Sequence, residues 1–158
     1  MPRIVRYLLV FLISMLPVAE LRGGIPFGIG VGLPWYLVFL ISVTGNIIVV
    51  PFIIIFMKSL LGWMRICKIE FFSKIANWFY KKAEKNKPKI DKYGGWGLFL
   101  FVAIPLPGTG AWTGAIVASL FDMNKKKAYL SIFGGVLVAG ITVTLISMGV
   151  LGFLSFLL

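Results

Sequence analysis

The sequence predicts an all-α integral membrane protein: two opposed re-entrant helical hairpins, two full transmembrane helices, and an amphipathic interfacial helix between the halves. Three observations predict it. Of the 158 residues, 59% are hydrophobic and only 13% are charged, where a soluble domain is about half apolar and about a quarter charged. Two apolar runs stop half-way: residues 97–104 and 111–121 flank a break at 105–110, and neither reaches the ~20 residues of a span. The net charge is +11, with most of the basic residues in one segment between hydrophobic runs. The positive-inside rule accounts for that excess, so nucleic acid is not an expected partner.

The chain reads as a single membrane domain over residues 1–158. Residues 4–33 form the first hairpin: an apolar run at 4–16, a break at Pro17 and Glu20-Leu21-Arg22-Gly23-Gly24, and a return at 25–33. Arg3 and Arg6 ahead of 7–16 resemble a signal peptide, but no small-x-small cleavage site follows, so a retained half-helix is expected. Pro34 and Trp35 open a spanning helix over 35–57, with Asn46 and Pro51 inside it. Both of those residues are expected to satisfy hairpin backbone.

Residues 65–92 carry nine basic residues against Glu70, Glu84 and Asp91. Ile69, Phe72, Ile75, Ala76 and Phe79 recur there at helical spacing among lysines, the pattern of an amphipathic helix in the headgroup region. Asn86-Lys87-Pro88-Lys89 is expected to end it. The second hairpin occupies 96–121, broken by Pro105-Leu106-Pro107-Gly108-Thr109-Gly110. Prolines there remove donors and glycines permit a sharp reversal. A polar turn from Asp122 through Lys125, Lys126 and Lys127 leads into a second spanning helix at 128–157, where Gly134, Gly135 and Gly140 allow close helix approach. A shift of 90 residues lays Pro17 on Pro107, Gly24 on Gly114 and Gly45 on Gly135, a candidate inverted repeat.

If both breaks are re-entrant, the hairpins enter from opposite sides and their tips meet near mid-membrane. The 65–92 segment and the Lys125-Lys126-Lys127 turn then share the cytoplasmic face of a multi-pass cell-membrane protein. A single bent span over 4–32 is the other arrangement that charge counting allows.

Composition also excludes chemistry. There is no histidine, hence no histidine base, metal ligand or proton relay. Cys67 is alone, so no internal disulfide forms and it reads as a small interfacial hydrophobe. No catalytic triad, metal cluster or nucleotide loop is present, so neither an enzyme, a metal site nor a cofactor is expected. What remains is polar chemistry inside hydrophobic hairpins. Irregular backbone at membrane depth survives only where protein buries it or where it lines a cavity. Broken half-helices of this kind mark transporter binding sites.

Glu20 and Arg22 are the ionisable pair within a hairpin; either they are solvated at the interface or they face a cavity and function there. Without histidine, proton coupling would fall to a carboxylate, and Glu20 is the candidate. Gly23-Gly24 and Gly108-Thr109-Gly110 each precede a returning half-helix, whose free N–H groups and partial positive charge suit an anion. Arg22 can fork two hydrogen bonds to phosphate or carboxylate, and Thr109 and Thr113 add hydroxyls. Trp112 either closes this pocket or packs in the core; the plain alternative for Gly108-Thr109-Gly110 is tight helix packing. The substrate-binding set is therefore Arg22, Gly23, Gly24, Gly108, Thr109, Gly110, Trp112 and Thr113, with Glu20 carrying the proton.

Pro17-x-x-Glu20-Leu21-Arg22-Gly23-Gly24-Ile25-Pro26, together with Pro105-Leu106-Pro107-Gly108-Thr109-Gly110-Ala111-Trp112-Thr113-Gly114, resembles the prokaryotic small multidrug export protein family over nearly the whole chain. More distantly it is similar to the DedA and VTT-domain membrane proteins. That likeness implies opposed re-entrant hairpins, translocation of lipids such as polyprenyl-phosphate carriers, and dependence on the proton gradient, with Glu20 and Arg22 as the functional pair. The second hairpin departs from the arginine-bearing motif of DedA proteins. The reading is thus a small proton-coupled transporter for an anionic or amphipathic substrate such as a lipid phosphate, with membrane lipids around it. The alternatives are a drug or cation exporter, a passive anion channel and a non-transporting scaffold. So thin a bundle is expected to work as a homodimer.

Overall fold

Proline, glycine and one asparagine set the element boundaries. The computed structural model describes residues 2–66, 70–106, 108–121 and 123–157. Its helices are α1 (Arg3–Met15), α2 (Glu20–Gly30), α3 (Trp35–Ile66), α4 (Glu70–Ala103), α5 (Ala111–Leu120) and α6 (Lys125–Leu157), with no strand among the described residues.

The first break is shorter than expected. α1 stops at Met15 with Leu16 extended, because Pro17 cannot continue the helix. α2 then starts at Glu20 rather than Ile25, and the Gly23 N–H already donates to the Ala19 carbonyl at 2.9 Å. Glu, Leu and Arg are good helix formers, which outweighs two glycines. Gly23 and Gly24 are thus helix interior, not the open N-terminus expected of them.

α3 contains the span Trp35–Met57, 23 residues, and α6 the span Lys125–Val150, 26 residues. At 1.5 Å per residue both exceed a hydrocarbon core of about 30 Å. α1, α2 and α5 have 13, 11 and 10 residues, roughly half a bilayer each. α6 begins at Lys125 rather than Ala128: Asn124 Oδ1 accepts the N–H groups of Lys126 at 3.0 Å and Lys127 at 3.3 Å, a side-chain N-cap. The three lysines therefore lie in the first helical turn.

α4 runs through the stop expected at 86–89. Pro88 removes one donor amid helix-forming lysines and glutamate, and the actual kink is at Gly94, with φ +49° and ψ −132°. The amphipathic face predicted on this segment (Ile69 and the side chains of Phe72, Ile75, Ala76 and Phe79) lies outside the described residues, as do Pro107 and Asp122.

α1 packs on α2 and α3, and the Tyr93–Ala103 arm of α4 on α6. α2 also reaches α6, and α5 reaches α3, so both long helices clasp each short pair. Val10, Ile25, Val38, Val102, Ala111, Ala115 and Ile132 lie in the buried core. Leu40, Phe52, Ile55, Phe56, Leu130 and Leu145 face outward and are more than half exposed, an apolar surface that suits lipid. Hydroxyls in these helices mostly bond the carbonyl one turn back: Ser14 to Val10, Thr44 to Leu40, Thr144 to Gly140 and Ser147 to Val143.

Gly135 is where α6 meets the α4 arm. A Cβ there would lie 2.7 Å from the Val102 Cβ and 2.8 Å from the Phe99 carbonyl oxygen. Gly135→Val is therefore expected to destabilise the fold by about 1–3 kcal/mol, the usual penalty of overpacking. Thermal unfolding in detergent checks it; an unchanged midpoint would mean the two helices separate freely.

Candidate functional site

The two short pairs meet through caps that each supplies to the other. Glu20 opens α2 with φ +50°, an uncommon backbone for a residue other than glycine. That conformation turns its side chain across to α5, where Oε1 accepts the Trp112 N–H at 3.0 Å. Trp112 is the second residue of α5, so its N–H has no partner within the helix. The carboxyl is 4% exposed and lies against Gly110, whose φ of +128° and ψ of −173° only glycine adopts readily. A Cβ on Gly110 would fall 2.1 Å from Glu20 Oε2.

Arg22, one half-turn on, reaches the other strand of the break. Its Nη1 donates to the Leu106 carbonyl and its Nη2 to Thr109 Oγ1 at 2.8 Å. Thr109 Oγ1 lies 2.8 Å from both the Ile104 and the Leu106 carbonyl oxygens, to which its single proton is shared. Trp112 completes the exchange by donating from Nε1 to the Met15 carbonyl at the end of α1, at 3.0 Å. A carboxyl oxygen thus accepts at a helix N-terminus, and a cation sits at the carbonyls that follow a helix C-terminus. Both placements complement the helix dipoles.

Between the pairs runs a narrow seam lined by Glu20, Leu21, Arg22, Asn46, Val102, Gly110, Ala111, Val136 and Ala139. It is too narrow to seat a water molecule. Asn46 of α3 is fully buried in it, with neither Nδ2 nor Oδ1 hydrogen-bonded. The expectation that Asn46 satisfies hairpin backbone is thus overturned: neither of its amide atoms bonds a backbone group.

Of the expected site residues, Glu20, Arg22, Thr109, Gly110 and Trp112 come together. Gly24 instead supports packing: a Cβ there would strike Ser14 Oγ at 2.0 Å. Gly23 likewise sits within α2, facing the Ala19 side chain. Gly108 is exposed with φ +81°, forming the turn rather than the seam. Thr113 is half-buried and does not line the seam. Asn46 is the residue that sequence reasoning misplaced; an amide in mid-span was the signal.

Two helices of membrane length around a buried Glu20 and a half-buried Arg22 define a small helical membrane protein. The chain belongs to the small multi-drug export protein family, which it matches over residues 20–142. That stretch runs from Glu20 through the second break and α5 into α6, and it assigns the chain to an export family rather than to an enzyme class. No curated protein and no solved structure matches the chain. The more distant DedA likeness rests on the motif alone.

Proposed function

We propose that this chain is a proton-coupled transporter that moves an anionic or amphipathic substrate, such as a lipid phosphate, through a midplane site between two re-entrant hairpins. One observation carries the reading: the α5 N-terminus and Gly110 already hold a carboxylate, that of Glu20. A phosphate oxygen satisfies the same N–H groups, and Arg22 can turn its fork from Leu106 and Thr109 onto the phosphate. Substrate and Glu20 then compete for one seat. Glu20 leaves it most readily as the neutral acid, because an uncompensated buried charge is costly. One proton therefore accompanies one anion.

The spacing of the elements supports two related halves. α1, α2 and α3 begin at 3, 20 and 35, and the Tyr93–Ala103 arm, α5 and α6 begin 90, 91 and 90 residues later. Glu20 and Gly110, Leu21 and Ala111, and Asn46 and Val136 line the seam in pairs 90 apart. Short pairs of half-membrane length support re-entrance from opposite faces, with the basic segment and the Lys125 turn cytoplasmic. A homodimer would cover so small a bundle. The narrowness of the seam favours a transporter over an open channel.

A second reading keeps the family's export label literally. Glu20 is the buried carboxylate of the seam and Trp112 flanks it, a pairing that could meet a cationic amphiphile. Proteoliposomes decide, with a fluorescent polyprenyl-phosphate analogue, a cationic dye, and an imposed pH gradient. The expected result is gradient-driven movement of the phosphate that Glu20→Gln and Arg22→Ala both abolish. Dye movement indifferent to Arg22 would overturn the anion site in favour of cation export. Movement of neither would favour a scaffold.

A further inference from the structure

Asn46 is the one seam group with nothing to hold. Buried amides and hydroxyls are normally hydrogen-bonded, and the buried hydroxyls of Ser14, Thr144 and Ser147 each find a carbonyl one turn back. The Ser42 and Ser119 hydroxyls are also unpartnered, but they lie outside the seam. Asn46 has 0% exposure, and both its amide atoms are unpartnered. It lines the seam with Glu20 and already lies beside that carboxyl, short of a hydrogen bond of normal length. Glu20 itself rests on a left-handed backbone at φ +50°. Strain of about 1–3 kcal/mol of that kind collects at switching segments. A strained carboxyl in one seat and an empty amide beside it make a two-position device.

We propose that Asn46 is the second seat of the Glu20 side chain, taken up as the neutral acid when a substrate anion occupies the α5 N-terminus. The inference rests on the anion site proposed above. An amide and a carboxylic acid are complementary: the acid O–H donates to Asn46 Oδ1, and Nδ2 donates to the acid carbonyl oxygen. An ionised carboxylate can use only the donor half and leaves Oδ1 facing a negative charge. Asn46 therefore distinguishes the protonated from the ionised side chain, and so ties the proton to the substrate. Bound Glu20 keeps its proton until substrate leaves; then the proton departs and the carboxylate returns to Trp112. The only bond that forms and breaks is the acid O–H, with a proton taken from water on the loading side and returned to water on release.

The other groups around Glu20 do not offer this. Its own helix brings Arg22, which carries no acceptor. α5 brings the Ala111 and Trp112 amides, and α4 and α6 bring Val102, Val136 and Ala139. Among the described residues that line the seam, Glu20 and Arg22 are the titratable side chains.

The test uses the full chain in lipid nanodiscs, titrated with a short-chain polyprenyl phosphate while infrared difference spectra are recorded. In the wild type, binding is expected to raise the carbonyl band of a protonated carboxyl. Glu20→Gln should bind the probe without that band. Asn46→Leu should bind the probe with the band displaced to higher frequency, and should lose about tenfold in pH-gradient-driven accumulation, the worth of roughly one hydrogen bond. Leucine removes an unpartnered buried amide, so the variant is expected to fold at least as well; Asn46→Val, which adds no carboxyl band of its own, provides a second variant that should also displace the band. An acid band unmoved by either Asn46 variant, or binding with no acid band at all, overturns the seat at Asn46 alone. Absence of probe binding in the wild type overturns the anion site, and this inference with it.

Discussion

A Gly110→Ala variant is expected to lose substrate movement entirely and to unfold at a lower temperature. Gly110 occupies a backbone region that only glycine populates freely, at φ +128° and ψ −173°. A side chain there pays about 1–3 kcal/mol of strain before any contact is counted. Its Cβ would also fall on the Glu20 carboxyl, 2.1 Å from Oε2. Glu20 must then leave the α5 N-terminus, which removes a cap of about 1–2 kcal/mol and strands a charge in the core. The combined loss is expected at about 3 kcal/mol or more. Thermal unfolding and proteoliposome transport read the two effects separately. Transport at the wild-type rate by Gly110→Ala would show that Glu20 has no need of that seat.

Arg22→Lys is expected to behave nearly as badly as Arg22→Ala. The guanidinium serves the Leu106 carbonyl with one nitrogen and Thr109 Oγ1 with the other. Lysine keeps the charge but not the planar fork, and it reaches one acceptor at a time. Losing a hydrogen bond from a charged donor is worth about 1.5–3 kcal/mol, so transport should fall by roughly one to two orders of magnitude. Initial rates across a phosphate-probe concentration series check this. Full activity in Arg22→Lys would mean that Arg22 supplies only field, not geometry.

Much of the second break was legible because its signals are local. Pro105, Gly108 and Gly110 fall within six residues of one another, and α5 begins at Ala111 as they predict. The long spans were legible from hydropathy alone. The start of α2 was not, because the polarity of Glu20 and Arg22 suggested a loop while their helix propensity decided the matter. The start of α6 was missed as well: Lys125, Lys126 and Lys127 were expected in a polar turn, whereas Asn124 caps the helix by accepting the N–H groups of Lys126 and Lys127. The contact between Glu20 and Trp112 joins residues 92 apart, and no local pattern encodes such a meeting. The orphan state of Asn46 was equally hidden: whether an amide is satisfied depends on every neighbour at once.

The seam also explains why the likeness between the halves is thin. Residues 3–66 bring side-chain chemistry to it (Glu20, Arg22 and Asn46), whereas residues 93–157 bring bare backbone and small or apolar surface at Gly110, Ala111 and Val136. Two identical halves could not assemble this junction. Glutamate at both 20 and 110 would set carboxylate against carboxylate, and glycine at both would leave two empty sockets facing each other. One half is the plug and the other the socket, and a plug and its socket must differ in sequence at the very positions where they touch.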